Sequence, residues 1–294
     1  MSLYHVPVLL HEVINCLEVK PDKRFIDATI GGGGHAKAIL RAGGIVLGID
    51  QDEDAIKEVE TKLADYINKC RLIIEKGNFK NLKQIAEKRN FTAVDGIIFD
   101  LGVSTYQLET PEKGFSFNSD SPLDMRMDKS LTVTAADLVN GLGKKELYEL
   151  FTKLGEEQCA WRVSQAIVRA RRLKHITLCN ELAAIVLSVR RRGKFDRTHP
   201  ATRIFQALRI AINDELNVLR EALPQTIRLL RQDGKILVIS FHSLEDRIVK
   251  QFIKEQEKLG ILRTETEKPI ISQAEEIREN PKARSAKMRV AQKI

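Results

Sequence analysis

The chain has 294 residues, 43% of them hydrophobic and 30% charged, which suits one large domain or a domain carrying an insertion and excludes a disordered chain. Its four cysteines, Cys16, Cys70, Cys159 and Cys179, are scattered with no CxxC pair and no histidine at ligand spacing, so neither a disulfide framework nor a zinc site is expected. The formal net charge of +8 favours a polyanionic partner, and the apolar run at 6–10, cut by His11 and Glu12, is too short for a secretory core or a membrane span, so a cytoplasmic location is expected.

In chain order, short apolar runs at 24–29, 45–49, 71–74 and 94–99 read as strands. Amphipathic stretches at 35–42, 52–67 and 80–89 read as the helices that cover them. This succession predicts an α/β fold built on a doubly wound, mostly parallel sheet. From 107 to 128 the composition turns to Gly, Pro, Ser and Asp, and 134–192 reads as helical with no strand-like run. Strand character returns at 235–241 (KILVISF), after a turn at Gln232-Asp233-Gly234 and before a helix from about Leu244. The economical division is an α/β domain of residues 1–106 and 206–294 interrupted by a helical domain at 107–205.

Charge is concentrated in that insertion. Residues 161–205 hold eleven Lys/Arg against Glu181 and Asp196, a net +9 that exceeds the charge of the whole chain. A second run, 278–293, has six Lys/Arg against Glu279 alone. A solvated helix face or a charged tail accounts for either run by itself, but the two together favour nucleic acid.

The chemistry-bearing residues lie at predicted strand ends. Asp27-Ala-Thr-Ile-Gly31-Gly32-Gly33-Gly34-His35 joins the first strand to a helix, where glycines permit a sharp turn and close approach of a ligand to the backbone. Nineteen residues beyond Gly31, Asp50 ends the second strand, placed to accept hydrogen bonds from ribose hydroxyls. The loop also satisfies GxGxxA through Gly31, Gly33 and Ala36, so a nicotinamide-dependent dehydrogenase is the rival reading. Asp27 weighs toward S-adenosylmethionine, because a carboxylate suits a cationic amino acid end better than a pyrophosphate. Asp100, at the end of the fourth strand, is placed to accept hydrogen bonds from an amino group awaiting methylation, or simply to cap the next turn. Phe79 is a candidate adenine platform, but core is the better reading for a lone Phe. His242, Ser243 and Asp246 lack the GxSxG elbow of a hydrolase, and neither Glu156 and Glu157 nor Asp124 and Asp128 have a spacing that demands a metal.

Taken together, the sequence resembles the ribosomal RNA small-subunit methyltransferase H family, also called MraW, along its whole length. The resemblance rests on HVPVLLHE at 5–12, DATIGGGGH at 27–35, GIDQD at 48–52, FDLGVSTYQL at 99–108 and GFSFNSDSPLDMRMD at 114–128. It continues through GEE at 155–157, AIVRAR at 166–171, HPATRIFQALRI at 199–210, VISFHSLEDRIVK at 238–250 and NPKARSAKMRV at 280–290. The chain departs from the commoner pattern at Thr105-Tyr106, Ser121 and Glu53.

The resemblance implies a Rossmann-like class I methyltransferase that methylates N4 of a cytidine in the decoding region of 16S ribosomal RNA. It implies S-adenosylmethionine contacts at Gly33, Gly34, His35, Asp50, Phe79, Asp100 and Gln107, to which the glycine-loop reading adds Gly31, and an insertion that recognises the RNA. Asp100 is the candidate catalytic residue. Asp124, Arg126, Asp128, Arg190, Arg191 and Arg192 are candidate substrate contacts, and ribosomal RNA or the small subunit is the expected partner. A non-catalytic RNA-binding module, or a methyltransferase acting on protein or a small metabolite, is the remaining alternative.

Overall fold

The four runs at 24–29, 45–49, 71–74 and 94–99 each form a strand in the computed structural model, which describes residues 7–117, 120–190 and 198–294. Helix α1 (Leu10–Leu17) precedes β1 (Arg24–Asp27), α2 (Gly34–Arg41), β2 (Ile45–Asp50), α3 (Glu53–Lys62), α4 (Ala64–Asn68), β3 (Leu72–Lys76), α5 (Leu82–Lys88) and β4 (Val94–Asp100). Then come the helices α6 (Thr105–Glu109), α7 (Ala135–Gly141), α8 (Lys144–Lys153), α9 (Ala160–Arg171), α10 (Cys179–Val189), α11 (Thr202–Ile212) and α12 (Glu215–Leu229). The chain closes with β5 (Leu230–Ser240), α13 (Ser243–Lys258), β6 (Leu262–Thr264), α14 (Ala274–Glu279) and β7 (Lys287–Lys293).

Two compact units result. The first comprises Met1–Gly102 and Leu216–Ile294, the second Val103–Glu215. A division at 205/206, as drawn from sequence, would cut through α11, whose Ile204, Phe205, Ala207 and Leu208 all belong to the core of the second unit.

In the first unit seven strands run in the order β3-β2-β1-β4-β5-β7-β6. Strands β1 to β5 are parallel, and β7 is antiparallel to both β5 and β6. The strand order reverses between β1 and β4, the switch point at which open α/β sheets leave a crevice. Alternation along the strands supplies both faces. Ile26, Leu47, Ile97 and Phe99 pack with Leu82 of α5, Leu219 and Leu223 of α12 and Val249 of α13. Phe25, Val46, Ile98 and Leu237 pack on the other face with Val13 of α1, Ile39 of α2 and Val59 of α3. Each such fully buried side chain contributes about 1.5–3 kcal/mol.

Two features differ from the sequence expectation. The turn at 232–234 is a bulge inside β5: Leu230 already pairs with Val94, and the register resumes at Gly96 with Lys235. The basic run 278–293 contains a short 3-10 turn (Pro281–Ser285) and a strand, and much of its charge is used internally. Arg289 of β7 donates to Asp246 of α13 at 2.6 Å, and Lys293 Nζ donates to the carbonyls of Ile227 and Leu230 at 2.6 and 2.7 Å.

The second unit is helical, with Leu147, Phe151, Val163, Ile167, Leu182, Val186 and Leu208 in its core. Its Gly/Pro/Asp-rich loop is fixed by backbone demands. Gly114 has φ +69°, and a Cβ there would lie 2.2 Å from the Pro122 carbonyl oxygen, so only glycine fits.

Candidate active site

The carboxyl ends of β1, β2 and β4 in the first unit are laced together by hydrogen bonds. The Ala28 amide donates to the Ile98 carbonyl at 2.9 Å, and the Asp100 amide donates to Thr29 Oγ1 at 2.6 Å, tying the two strands that flank the switch point. The Gly31 amide donates to Asp50 Oδ2 at 2.8 Å, and the Asp52 amide to Asp50 Oδ1 at 2.9 Å. Asp50 therefore shapes the glycine loop as well as ending β2. A carboxylate has about four lone-pair sites, so both oxygens keep room for a further donor.

Gly31 and Gly33 adopt φ +47° and +76°, the left-handed region that favours glycine. The Gly33 amide closes the turn on the Ile30 carbonyl at 2.7 Å. A Cβ at Gly34 would stand 2.8 Å from Pro7 Cγ, whereas at Gly32 nothing lies within 4 Å. The loop is packed from below and open along Gly32, the form of a cradle for a ligand.

Beside the cradle is a buried charged group. Asp27 is 1% exposed and His35, in the first turn of α2, is 4% exposed. His35 Nε2 lies 3.5 Å from Asp100 Oδ2. Burial pushes the Asp27 carboxyl up to about 6, the charge of His35 opposing it. For His35 burial disfavours the imidazolium, yet Asp100 and Asp27 outweigh it and hold its pKa above the ordinary histidine value. Asp50 is likewise pushed up to about 6 by loss of hydration, against its backbone hydrogen bonds. Both ring nitrogens of His35 and Oδ1 of Asp100 are buried without a hydrogen-bond partner. Orphaned buried polar atoms are costly, and three in one place suit a polar ligand.

Phe79, just past β3, sets its ring edge-on to Phe99 at 5.5 Å. Thr29 escaped the sequence reading, since nothing in its type or spacing announces the tie to Asp100. Ser240, at the end of β5, also escaped it, and its buried Oγ has no partner. His242 caps α13, its Nδ1 accepting from the Glu245 amide at 3.4 Å, while Asp246 is held by Arg289; this is no hydrolase relay.

The remaining candidates lie in the second unit. Gln107 and Ser104 form a capping box at α6, the Ser104 amide donating to Gln107 Oε1 at 3.0 Å. Arg126 grips Asp124 with two hydrogen bonds of 2.7 and 2.8 Å, and Asp128 accepts from the Ser130 amide at 2.9 Å. Arg190 donates to the buried carboxylate of Glu157 at 2.6 Å. Arg191 and Arg192 lie outside the described residues. Of the other basic residues counted in the insertion, Arg171, Lys174 and Arg203 bond to Val139, Glu181 and Glu156.

Comparison with known proteins adds the lineage. The sequence model of the MraW methylase family matches residues 2–294. Ribosomal RNA small subunit methyltransferase H of Persephonella marina is 46% identical, over 99% of each chain. Its namesake in Carboxydothermus hydrogenoformans is 44% identical over 100% of this chain and 99% of its own.

Proposed function

The chain belongs to the MraW methylase family and is an S-adenosylmethionine-dependent methyltransferase, and from that premise we propose that it methylates the exocyclic N4 of a cytidine in the decoding region of 16S ribosomal RNA, in the cytoplasm. Membership sets aside the dehydrogenase reading. The observation that carries the proposal is the buried trio Asp27, His35 and Asp100 at the switch point, with its unpartnered polar atoms.

The residues present fit the cofactor. Asp50 would accept the ribose hydroxyls, the Gly31–Gly34 backbone would lie against the ligand, and Phe79 would flank the adenine. Asp27 would face the ammonium of the methionine end, where an opposite charge compensates its burial. When bound, S-adenosylmethionine supplies an electrophilic methyl group on a sulfonium.

The protein's part in the reaction is chiefly alignment and exclusion of water. A cytosine amine is a poor nucleophile because its lone pair is shared with the ring. Asp100 Oδ1, accepting a hydrogen from that amine, favours the pyramidal form that attacks. His35 holds Asp100 in place through Oδ2. The amine proton becomes acidic only once the new bond forms, so no strong general base is needed. A base inside an RNA stack must leave it to reach such a site. The second unit, rich in Lys and Arg, contributes phosphate contacts.

The test is transfer from S-adenosylmethionine carrying a trideuterated methyl group to small-subunit RNA, followed by nucleoside mass spectrometry. N4-labelled cytidine is expected. Label on another base or atom, or on protein alone, would refute the assignment.

A further inference from the structure

Trp161 is the single tryptophan of the chain, and it stands in the first turn of α9 with 48% of its surface exposed. Tyr148 of α8, also exposed, meets it edge-on with ring centroids 5.6 Å apart. Lys144 Nζ lies 4.1 Å from the indole centroid. Neither ring serves the core of the second unit, to which the same two helices contribute Leu147, Phe151, Val163 and Ile167 instead.

The indole is bordered by unspent cations. At about 100° per residue, Trp161, Arg172, Arg169 and Arg162 fall within roughly 100° of one another around the α9 axis. All three arginines are exposed. None of them has a hydrogen bond or ion pair among the described residues, unlike Arg171, Lys174, Arg190 and Arg203. An exposed large apolar ring carries a solvation cost that a partner can remove, and unpaired guanidinium groups call for anions. A purely electrostatic partner has no use for the indole. A single-stranded nucleic acid matches both features, offering flat bases and regularly spaced phosphates.

We propose that Trp161, with Tyr148 and Lys144, is a stacking subsite for one unpaired base of the RNA substrate, whose flanking phosphates meet Arg162, Arg169 and Arg172. The subsite rests on the RNA reading above and adds to it a place of contact outside the cofactor cradle. It acts on binding and leaves the chemical step alone.

The lone tryptophan supplies its own probe. The full-length protein is titrated with a single-stranded oligoadenylate of about ten nucleotides and with an abasic ribose-phosphate oligomer of equal length. Oligoadenylate should quench Trp161 fluorescence to saturation, and the abasic oligomer should not. By anisotropy of labelled oligoadenylate, Trp161→Ala should weaken binding about tenfold, and Trp161→Phe, which keeps a ring, less than about threefold. For methylation of ribosomal RNA, Trp161→Ala should raise KM with kcat unchanged. Equal quenching by the abasic oligomer, or unaltered affinity in Trp161→Ala, overturns the subsite. If the wild type still methylates RNA in that event, only the subsite fails. Absence of any RNA binding or RNA methylation by the wild type fails the underlying reading too. A patch serving a protein partner would leave every RNA readout unmoved, which also overturns the proposal.

Discussion

His35 Nε2 stands 3.5 Å from Asp100 Oδ2, so the helix that follows the glycine loop is tied electrostatically to the tip of the neighbouring strand across the switch point. The contact occupies one oxygen of Asp100 and leaves Oδ1 buried without a partner. Asp100→Asn keeps the shape but can present a donor where the proposed role needs an acceptor. Turnover on RNA should fall about a hundredfold, the scale for losing one oriented hydrogen-bonding group at a reacting centre. S-adenosylmethionine affinity, measured alongside, should change far less. Near-normal turnover would remove Asp100 from its role.

The same cluster makes the cofactor-free protein sensitive to pH. Asp27 titrates near 6 in the fold against an ordinary 3.8, Asp50 is also raised, and His35 lies above its ordinary value. In each case the folded state holds the proton more tightly than the unfolded chain does. The contribution of Asp27 and Asp50 is therefore greatest at low pH and declines as pH rises from about 4 through 6, whereas that of His35 is kept up to its ordinary 6.5 and declines only above it. For Asp27 alone the shift corresponds to about 3 kcal/mol. Thermal unfolding of Asp27→Asn should show a flatter decline and a higher Tm than wild type at pH 7.5. A lower Tm there would contradict the burial argument.

Arg190 has a structural duty. Its guanidinium faces a Glu157 whose side chain is almost wholly buried, and removing one partner of such a pair strands the other charge. Arg190→Ala should cost about 3 kcal/mol in denaturant unfolding, reduced somewhat by the arginine's partial exposure. The salt dependence of RNA binding should scarcely change. A large change in salt slope at unaltered stability would return Arg190 to the RNA surface.

Gly33→Ala tests the loop. The position has φ +76°, and a Cβ would sit 3.2 Å from Leu63 Cδ1 and Val59 Cγ2. Stability should drop by about 1–2 kcal/mol, with weaker cofactor binding because the backbone of the cradle must shift. Unchanged affinity would show that the loop does not border the ligand.

Much of this was legible in the sequence because the decisive signals are local. Phe25-Ile26, Val46-Leu47 and Ile97-Ile98-Phe99 are buried on both faces, so each strand appears as an unbroken apolar run next to turn residues. Gly31 and Asp50 were visible for the same reason, as a glycine loop and an acid at successive strand ends. What escaped depends on distant pairing. Lys287–Lys293 alternates charge with apolar residues and looks like a basic tail until Asp246 is brought to Arg289. Arg190 counts as a free cation until Glu157, 33 positions earlier, is folded against it. A charge tally cannot see either partner. Gln232-Asp233-Gly234 has the composition of a turn, and only the pairing of Leu230 with Val94 makes it a bulge within one strand.

Asp50, whose carboxylate fixes the Gly31 amide at 2.8 Å, is the residue proposed to hold the cofactor ribose. Calorimetric titration of S-adenosylmethionine into wild type and Asp50→Ala measures this directly. Wild type should bind and the variant should lose at least about tenfold in affinity, since a hydrogen bond to a charged group contributes about 1.5–3 kcal/mol. Equal affinity in a variant that remains folded would contradict a cofactor site at the end of β2.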